Sequence, residues 1–259
     1  MRLDLSAYFE EASAHYKSPS QIARVTSESW FLENAYCPAC AAKYLKDYPA
    51  NQPVIDFYCV NCRQEYQLKG KRHSFGRKVL DGEYDTMMQG VNGNKIPNFA
   101  FLVYDLGKLM VTNLFFVPRY FFSHSIIEPR KPLSAKAKRH GWTGCNILFF
   151  NIPEIAKIHA IKDNEILNPG AVHNSWDKIR FMSEFKSATA RGWTSDVIRC
   201  VDLIGDKEFR LSDCYEFEGK LKELHPENRN VRPKIRQQLQ IMRDKGLIEF
   251  LGDGRYKKR

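Results

Sequence analysis

The sequence lacks any long apolar run. None of its hydrophobic stretches approaches the roughly 18 residues that a membrane-spanning helix requires. Its N-terminal segment MRLDLSAYFEEASAHYK carries charges among its apolar residues, unlike a signal peptide. Internal repeats and low-complexity tracts are also missing. These absences argue against a membrane or secreted protein, and we expect a cytoplasmic protein with two globular domains.

The sequence is short of acidic residues relative to basic ones. Lysine and arginine number 40 and aspartate and glutamate 30, which gives a formal charge of +10 and a pI near 9.2. Such an excess attracts polyanions, nucleic acid before an anionic membrane surface. The basic residues cluster in KGKRHSFGRK (69–78), RKPLSAKAKRHGW (130–142) and RYKKR (255–259). We interpret the clusters as phosphate contacts, with a solvated surface as the alternative for any one of them.

Four of the seven cysteines form two Cys-x-x-Cys pairs, Cys37 with Cys40 and Cys59 with Cys62. In a chain without secretory features this spacing is typical of tetrahedral zinc rather than of disulfides. Four thiolates fill the coordination shell and leave no position for water, so we predict a structural Zn²⁺. The alternative is four incidental thiols. The remaining cysteines, at positions 145, 200 and 214, are expected to be small buried hydrophobic residues.

The first two thirds of the chain predict an α+β fold. Apolar residues recur at helical spacing from residue 5, a break falls at SPS (18–20), and a second helix is expected from Gln21 to Asn34, where the first cysteine pair follows. Four segments predict a mixed sheet, with a helix around residues 83–91 beside it. These segments are PVIDFYC, EYQLK, NFAFLVYDL and NLFFVP. Between residues 151 and 190 we expect a short strand, IHAIKD, followed by loops.

From Trp193 onwards the pattern changes to helices. Three are predicted, namely WTSDVIRCVDLI, LSDCYEFEGKLKEL with Ser212 as the N-cap, and VRPKIRQQLQIMRDKG closed by Gly246. An apolar strand LIEFL, a Gly-Asp-Gly turn and a basic returning strand RYKKR follow. Three helices and a basic hairpin predict a winged helix-turn-helix.

Residues 53–71, PVIDFYCVNCRQEYQLKGK, combine the second cysteine pair with two alternating strands. If the strands pair antiparallel, the cysteines lie at the tip of a hairpin. Alternation then puts Asp56 on one face of its strand and Glu65, Gln67 and Lys69 on one face of the other. The opposite face is expected to be core and carries Ile55, Phe57, Tyr66 and Leu68. A carboxylate, a second oxygen ligand and a lysine suit Mg²⁺-dependent phosphodiester cleavage, because Mg²⁺ keeps several waters and takes few protein carboxylates. An ordinary half-exposed strand is the alternative.

Several runs of the sequence, with dots for positions left out, are similar to one known family. They are SQ.AR (20–24), YCP.C (36–40), PV.DFYC..C (53–62), DG.Y.TMM (81–88), RKPL (130–133), GW.GCNI (141–147) and IRQQLQI.RDKG (235–246). They resemble the DpnI family of methyl-directed, type IIM restriction endonucleases over nearly the whole chain. The resemblance implies a PD-(D/E)xK nuclease domain with a structural zinc in residues 1–187 and a winged helix in residues 188–259. It also implies cleavage of double-stranded DNA at GATC only when the adenine carries an N6-methyl group.

The resemblance assigns roles on the hairpin. Asp56 matches the family's metal-binding aspartate and Lys69 its catalytic lysine, whereas Gln67 stands where the family pattern has an acid. A glutamine carbonyl oxygen can coordinate Mg²⁺ but adds no negative charge, so we expect a weaker metal affinity. Glu65, on the same face, and Glu28, on the helix before the first cysteine pair, are candidates for the missing carboxylate. For Glu28 a solvent-facing role is the alternative.

Two regions are candidates for reading methylated DNA. In the third helix of the helix-turn-helix, Ile235, Leu239 and Met242 mark a buried face, which leaves basic and amide side chains for the major groove or as ordinary surface residues. These are Arg232, Lys234, Arg236, Gln237 and Gln240. An N6-methyl group needs an apolar pocket, and in the nuclease domain we expect Trp142 to provide it. Further contacts to DNA are expected from Arg139, Lys71 and Arg72. Trp193 is expected to pack in the core.

The sequence leaves two functions open. The first is a zinc-stabilised, Mg²⁺-dependent endonuclease, expected to be a monomer in solution. The second is a methylated-DNA binding protein that does not cleave, because Gln67 brings no charge to the metal.

Overall fold

The structure is a computed structural model and describes residues 1–48 and 55–259. The chain divides into two compact units, each assembled from three separate stretches. The first unit contains Met1–Gly76, Lys95–Arg119 and Ile155–Arg180, and the second contains Arg77–Asn94, Tyr120–Glu154 and Phe181–Arg259. The chain therefore passes between the units several times. These units are defined by contacts in space, whereas the boundary expected between residues 187 and 188 divides the chain by sequence. That boundary stays a prediction.

The helices and strands are numbered along the chain. The helices are α1 (Ser6–His15), α2 (Pro19–Asn34), α3 (Tyr84–Gly93), α4 (Pro169–Ile179), α5 (Ala188–Leu203), α6 (Leu211–Tyr215), α7 (Glu218–Leu224) and α8 (Val231–Asp244). The strands are β1 (Leu45–Asp47), β2 (Phe57–Cys59), β3 (Glu65–Arg72), β4 (Lys78–Glu83), β5 (Asn98–Asp105), β6 (Met110–Val117), β7 (Ile127–Pro129), β8 (Gly144–Leu148), β9 (Ile158–Lys162), β10 (Glu165–Ile166), β11 (Glu208–Arg210), β12 (Ile248–Gly252) and β13 (Arg255–Lys258). Within the described ranges, none of these helices has the length and apolarity to cross a bilayer.

The first unit is built on a mixed sheet, as predicted. In the described part of the chain it has seven strands in the order β1-β2-β3-β5-β6-β9-β10. β3 and β5 are parallel, and the other neighbours are antiparallel. β5 is buried from Asn98 to Tyr104, because a continuous run of apolar side chains can meet a core on both faces of a sheet. This places β3, which carries the candidate catalytic residues, beside the most buried strand.

Helix α2 covers one face of this sheet. Trp30 and Phe31 are fully buried, and the Phe31 ring lies 4.8 Å from that of Phe57 on β2. Gly70 on β3 permits the close approach, since a Cβ atom there would lie 3.2 Å from Ser27 Oγ. α2 and β3 are thus packed closely together at Gly70.

Two sequence predictions for this unit need adjustment. α2 begins at Pro19 rather than Gln21, because the fixed φ of proline suits the first helical turn. The expectation of loops after the strand in residues 151–190 is wrong, since α4 forms there. Its N-cap Asn168 accepts from the Gly170 N–H at 2.8 Å, and its buried residues Val172, Trp176 and Ile179 follow helical spacing.

The second unit combines a small sheet with the winged helix. The small sheet is antiparallel in the order β4-β8-β7. The helix predicted around residues 83–91 is confirmed as α3, which belongs to this unit. Its C-terminal turn is fastened by α5, because the buried Arg191 donates from Nη2 to Val91 O at 2.8 Å.

The winged helix has its predicted parts with different boundaries. α5 begins at Ala188, where Ser187 Oγ accepts from the Ala190 N–H at 3.1 Å. The predicted second helix is divided into α6 and α7, and Ser212 is not its N-cap. The N-cap is Arg210, two residues earlier, and its N–H donates to Asp213 Oδ2 at 2.7 Å. Gly246 closes α8 with a φ of +70°, as expected, and β11 adds a third strand to the basic hairpin.

Candidate metal centres and nucleic-acid surface

The two cysteine pairs meet in one four-cysteine cluster. Cys37 Sγ lies 3.5 Å from Cys62 Sγ, Cys40 Sγ lies 3.6 Å from Cys59 Sγ, and all four sulfurs lie within 4.8 Å of one another. Sulfurs bound at about 2.3 Å in a tetrahedron would be about 3.8 Å apart. The predicted gathering of the four cysteines is confirmed, and the cluster could hold a metal ion.

The two loops that carry these cysteines have matching backbone geometry. The residue after each pair is left-handed, with φ of 56° at Ala41 and 59° at Arg63. The N–H of each donates back to the first cysteine of its pair, at 2.8 Å to Cys37 O and 3.0 Å to Cys59 O. Left-handed backbone is uncommon for residues other than glycine, so the repeated geometry indicates a constrained ligand loop.

Burial of the cluster governs its chemistry. Cys37 and Cys59 are fully buried. Burial raises the pKa of the Cys62 thiol to about 11, and it also raises the pKa of the Cys37 thiol. Metal ligation requires thiolates, and a bound cation supplies the charge that stabilises them. A closed set of four sulfurs fits a structural metal rather than a catalytic one.

Helix α4, which the sequence did not predict, supports the first cysteine loop. His173 Nδ1 lies 3.0 Å from Pro38 O, and Arg180 Nη2 donates to Ala39 O at 3.0 Å. Asp177 lies between the two, 3.4 Å from His173 Nε2 and 2.5 Å from Arg180 Nη2. These supporting residues lie far along the chain from the cysteines, and no local pattern identifies them.

The hairpin predicted around the second cysteine pair is confirmed where the structure describes it. β2 and β3 pair antiparallel, with Phe57 opposite Tyr66 and Tyr58 opposite Glu65. The turn that contains Cys62 lies at their tip, and the Cys59 N–H donates to Gln64 O at 2.8 Å. Phe57 and Tyr66 are buried, as alternation predicted. The predicted start of the first strand at Val54 lies outside the described residues.

Asp56 lies immediately before β2 and contacts β3 twice. Its N–H donates to Tyr66 O at 3.1 Å, and its Oδ2 accepts from the Leu68 N–H at 2.8 Å. These bonds bracket Gln67 along β3. The fold thus brings Asp56 to the part of β3 that carries Gln67.

Gln67 presents a buried oxygen to this face. Its Oε1 is buried and accepts no hydrogen bond from any described residue, which costs desolvation energy unless a partner is supplied. Lys69 lies on the same face two residues on, with Nζ 5.8 Å from the centre of the Phe99 ring. An oxygen ligand without a protein donor fits a bound cation.

The two further carboxylates contact other side chains. Glu65 Oε1 accepts from the Tyr48 hydroxyl at 3.0 Å, and Glu28 pairs with Arg24 Nη1 at 2.8 Å. Burial raises the pKa of Glu28, Arg24 opposes this, and the charge of Asp56 raises it further. Glu28 therefore lies within electrostatic reach of Asp56. Across residues 1–48 and 55–259, however, Asp56, Glu65 and Glu28 do not form a second group of three gathered ligands.

Helix α8 presents the predicted residues to solvent. Ile235, Leu239 and Met242 are buried, as expected. The exposed residues are Arg232, Arg236, Gln237 and Gln240, while Lys234 is half-buried. Gln238 differs from the other polar residues of α8, because it is buried and its Oε1 accepts from the Thr194 hydroxyl at 2.7 Å. The outer face of α8 is thus basic and rich in amides.

Trp142 lies half-buried in the second unit. The Arg139 guanidinium stacks 4.6 Å from its ring centre, and a Cβ at Gly144 would lie 2.9 Å from Trp142 Cη2, so the ring needs the glycine. Trp193 is 2% exposed and stacks on His225 at 4.0 Å, which confirms its core role. Lys71 and Arg72 are exposed at the end of β3.

Two family models match the chain. The model of the DpnI family, described as the Dam-replacing family, matches residues 4–185. The model of the Dam-replacing HTH domain matches residues 189–258. Together they cover nearly the whole chain, in agreement with the resemblance found in the sequence.

Proposed function

The chain belongs to the DpnI, or Dam-replacing, family, and on this premise we propose that it is a methyl-directed, type IIM restriction endonuclease. Family membership supports a restriction function that depends on DNA methylation. The finer proposal is Mg²⁺-dependent cleavage of double-stranded DNA at GATC that contains N6-methyladenine. It rests on two observations on β3, namely that Asp56 accepts from the N–H of Leu68, the residue after Gln67, and that the oxygen of Gln67 is buried and unsatisfied.

The hairpin residues would divide the work of hydrolysis. Asp56 and Gln67 would hold Mg²⁺, and Lys69 would orient the attacking water. Bound Mg²⁺ would polarise the scissile phosphate and lower the pKa of that water. Asp56 is already positioned by the Leu68 N–H. Glu65 or Glu28 would supply the second carboxylate, directly or through a water.

The four-cysteine cluster would hold Zn²⁺ with a structural role. Its four sulfurs complete a tetrahedral shell, which leaves no open position for substrate. None of the seven cysteines is in a disulfide, which leaves the four of the cluster available as zinc ligands. We propose that the protein is a monomer in solution.

Reading of the methylated site would involve two parts of the second unit. On α8, Arg236, Gln237 and Gln240 would reach base edges, because arginine pairs with guanine and glutamine with adenine. Trp142, backed by Arg139, would bury the methyl group. One buried methyl contributes about 0.8 kcal/mol, or about a fourfold preference. Strong methyl dependence therefore needs a second reader or a penalty against unmethylated DNA.

A second candidate function is methylated-DNA binding without cleavage. It is favoured by the missing charge at Gln67 and by the absence of a gathered carboxylate cluster among the described residues. In that case Asp56 and Lys69 would be remnants of a nuclease site, while α8 and Trp142 would still select methylated DNA.

Cleavage of plasmid over a Mg²⁺ and Mn²⁺ series separates the two functions. The endonuclease should linearise plasmid with N6-methylated GATC and leave unmethylated plasmid intact. Asp56→Asn is the matched control, because it keeps an oxygen for the Leu68 N–H and removes the charge. Tight binding to methylated duplex without cleavage at any metal concentration would establish the binding protein instead.

A further inference from the structure

Tyr66 contacts the four-cysteine cluster with its side chain. Its ring is fully buried and packs edge-on against Phe116 at 5.7 Å between ring centres. Its hydroxyl lies 3.0 Å from Cys37 Sγ. A phenol carries an O–H donor, so at this distance the hydroxyl can donate to a cysteine thiolate.

The backbone of the same residue contacts the candidate nuclease face. Tyr66 O accepts from the Asp56 N–H at 3.1 Å, and the two neighbours of Tyr66 in the chain are Glu65 and Gln67. A tyrosine ring is rigid, and its place in the core is fixed by packing on β2 and β6. A shift of the ligand sulfur is therefore transmitted to the strand.

We propose that Tyr66 is a positioning residue that couples the metal of the four-cysteine cluster to the catalytic face of β3. Its hydroxyl stabilises the Cys37 thiolate when the cluster holds zinc, and the same contact fixes the position of the strand whose Tyr66 O and Leu68 N–H bond Asp56. The link to catalysis rests on the proposed function, whereas the links to zinc and to Asp56 do not.

The chain offers a matched pair of variants to test this. Tyr66→Phe removes the hydroxyl beside Cys37 Sγ. Tyr36→Phe removes a hydroxyl from the residue next to Cys37, which is also buried but has no hydrogen-bond partner among the described residues. Both variants keep an aromatic ring in the core, so a difference between them reports the contact with sulfur.

The first measurement is zinc release to a chromophoric chelator. Loss of an outer-shell partner weakens metal sites about 10- to 100-fold, so Tyr66→Phe should release zinc at least about tenfold faster than wild type, while Tyr36→Phe should not. In Co²⁺-substituted protein, Tyr66→Phe alone should shift the sulfur-to-cobalt charge-transfer band. Equal release rates and equal spectra in the two variants would overturn the proposal.

The second measurement follows two backbone amides in zinc-loaded protein. Because the Asp56 N–H donates to Tyr66 O and the Leu68 N–H to Asp56 Oδ2, both should exchange faster with solvent in Tyr66→Phe than in Tyr36→Phe. Unchanged exchange would refute the coupling to β3. If the wild-type protein cuts DNA, Tyr66→Phe should also need more Mg²⁺. If it does not cut, the proposed function fails while the amide and zinc measurements still decide this inference.

Discussion

The two candidate metal sites of the first unit are built in opposite ways. At the tip of the hairpin, four sulfurs from two loops of matching geometry lie close together and buried. At the candidate nuclease site, Asp56 comes from a loop and Gln67 from a strand, and Asp56 Oδ2 accepts from the Leu68 N–H while Gln67 Oε1 has no donor among the described residues. A structural metal requires a closed shell, whereas a catalytic metal requires open positions. The contrast is that expected between a structural metal site and a catalytic one.

Removal of a cluster ligand should have the largest effect. Apparent zinc affinities in structural sites reach about 10–16 kcal/mol and are coupled to folding. Cys59→Ser should therefore lose its zinc and unfold at a much lower temperature, as measured by metal analysis and circular dichroism. Cys145→Ala, at a buried cysteine outside the cluster, should keep its zinc. A zinc-loaded Cys59→Ser variant that melts like wild type would remove the distinction between the two sites.

Removal of the charge at Asp56 should affect activity rather than folding. Asp56→Asn should lower single-turnover cleavage of methylated duplex by at least about 100-fold, the scale seen when one electrostatic group is removed from an active site. Its melting temperature and zinc content should stay close to wild type, because the Leu68 N–H keeps an acceptor. Retained cleavage would exclude Asp56 as a metal ligand.

Addition of a charge at Gln67 should have a smaller effect, in the opposite direction. Gln67→Glu supplies a carboxylate beside Asp56, so half-maximal cleavage should need several-fold less Mg²⁺. The measurement is a Mg²⁺ titration of the initial rate, with Glu65→Gln as the comparison. An unchanged requirement in Gln67→Glu together with a raised one in Glu65→Gln would move the acidic ligand to Glu65.

Glu28→Gln should produce the smallest change, visible in the pH dependence of stability. Burial raises the pKa of Glu28, so the folded protein favours the protonated carboxyl and its ionisation costs stability above the ordinary pKa. The variant should melt slightly higher than wild type at pH 7, and this difference should vanish at a pH below that pKa. A lower melting temperature at pH 7 would show that the ion pair with Arg24 outweighs burial.

The four-cysteine cluster could be predicted from the sequence more fully than the catalytic face. The spacing of two Cys-x-x-Cys pairs identifies the ligands and indicates the geometry of their loops, so local sequence is enough to predict the cluster. Alternation on β2 and β3 correctly placed Phe57 and Tyr66 inside. The contacts of Tyr48 with Glu65 and of Arg24 with Glu28 depend on how separate elements pack, which spacing within one strand does not encode.

The errors in secondary structure have similar causes. The sequence does not predict α4, because residues of low helix propensity such as histidine, asparagine, serine and aspartate lie between the apolar positions Val172, Trp176 and Ile179. Residue type predicts Ser212 as an N-cap, but the helix begins earlier, where Asp213 Oδ2 accepts from the Arg210 N–H. In both cases a specific hydrogen bond outweighs the residue preference, from the Gly170 N–H to Asn168 in α4 and from the Arg210 N–H to Asp213 in α6.

The parallel pairing of β3 with β5 has a consequence for the order of folding. Parallel neighbours cannot be joined by a tight turn, and here the connection from residue 73 to residue 97 contains β4 and α3, which belong to the second unit. The β2–β3 hairpin closes locally, whereas the other edge of β3 must await the crossover. Until then that edge has open backbone groups, which invite pairing with other chains. Early capture of zinc would therefore protect the nascent protein from aggregation by fixing the hairpin while its partner strand is still absent.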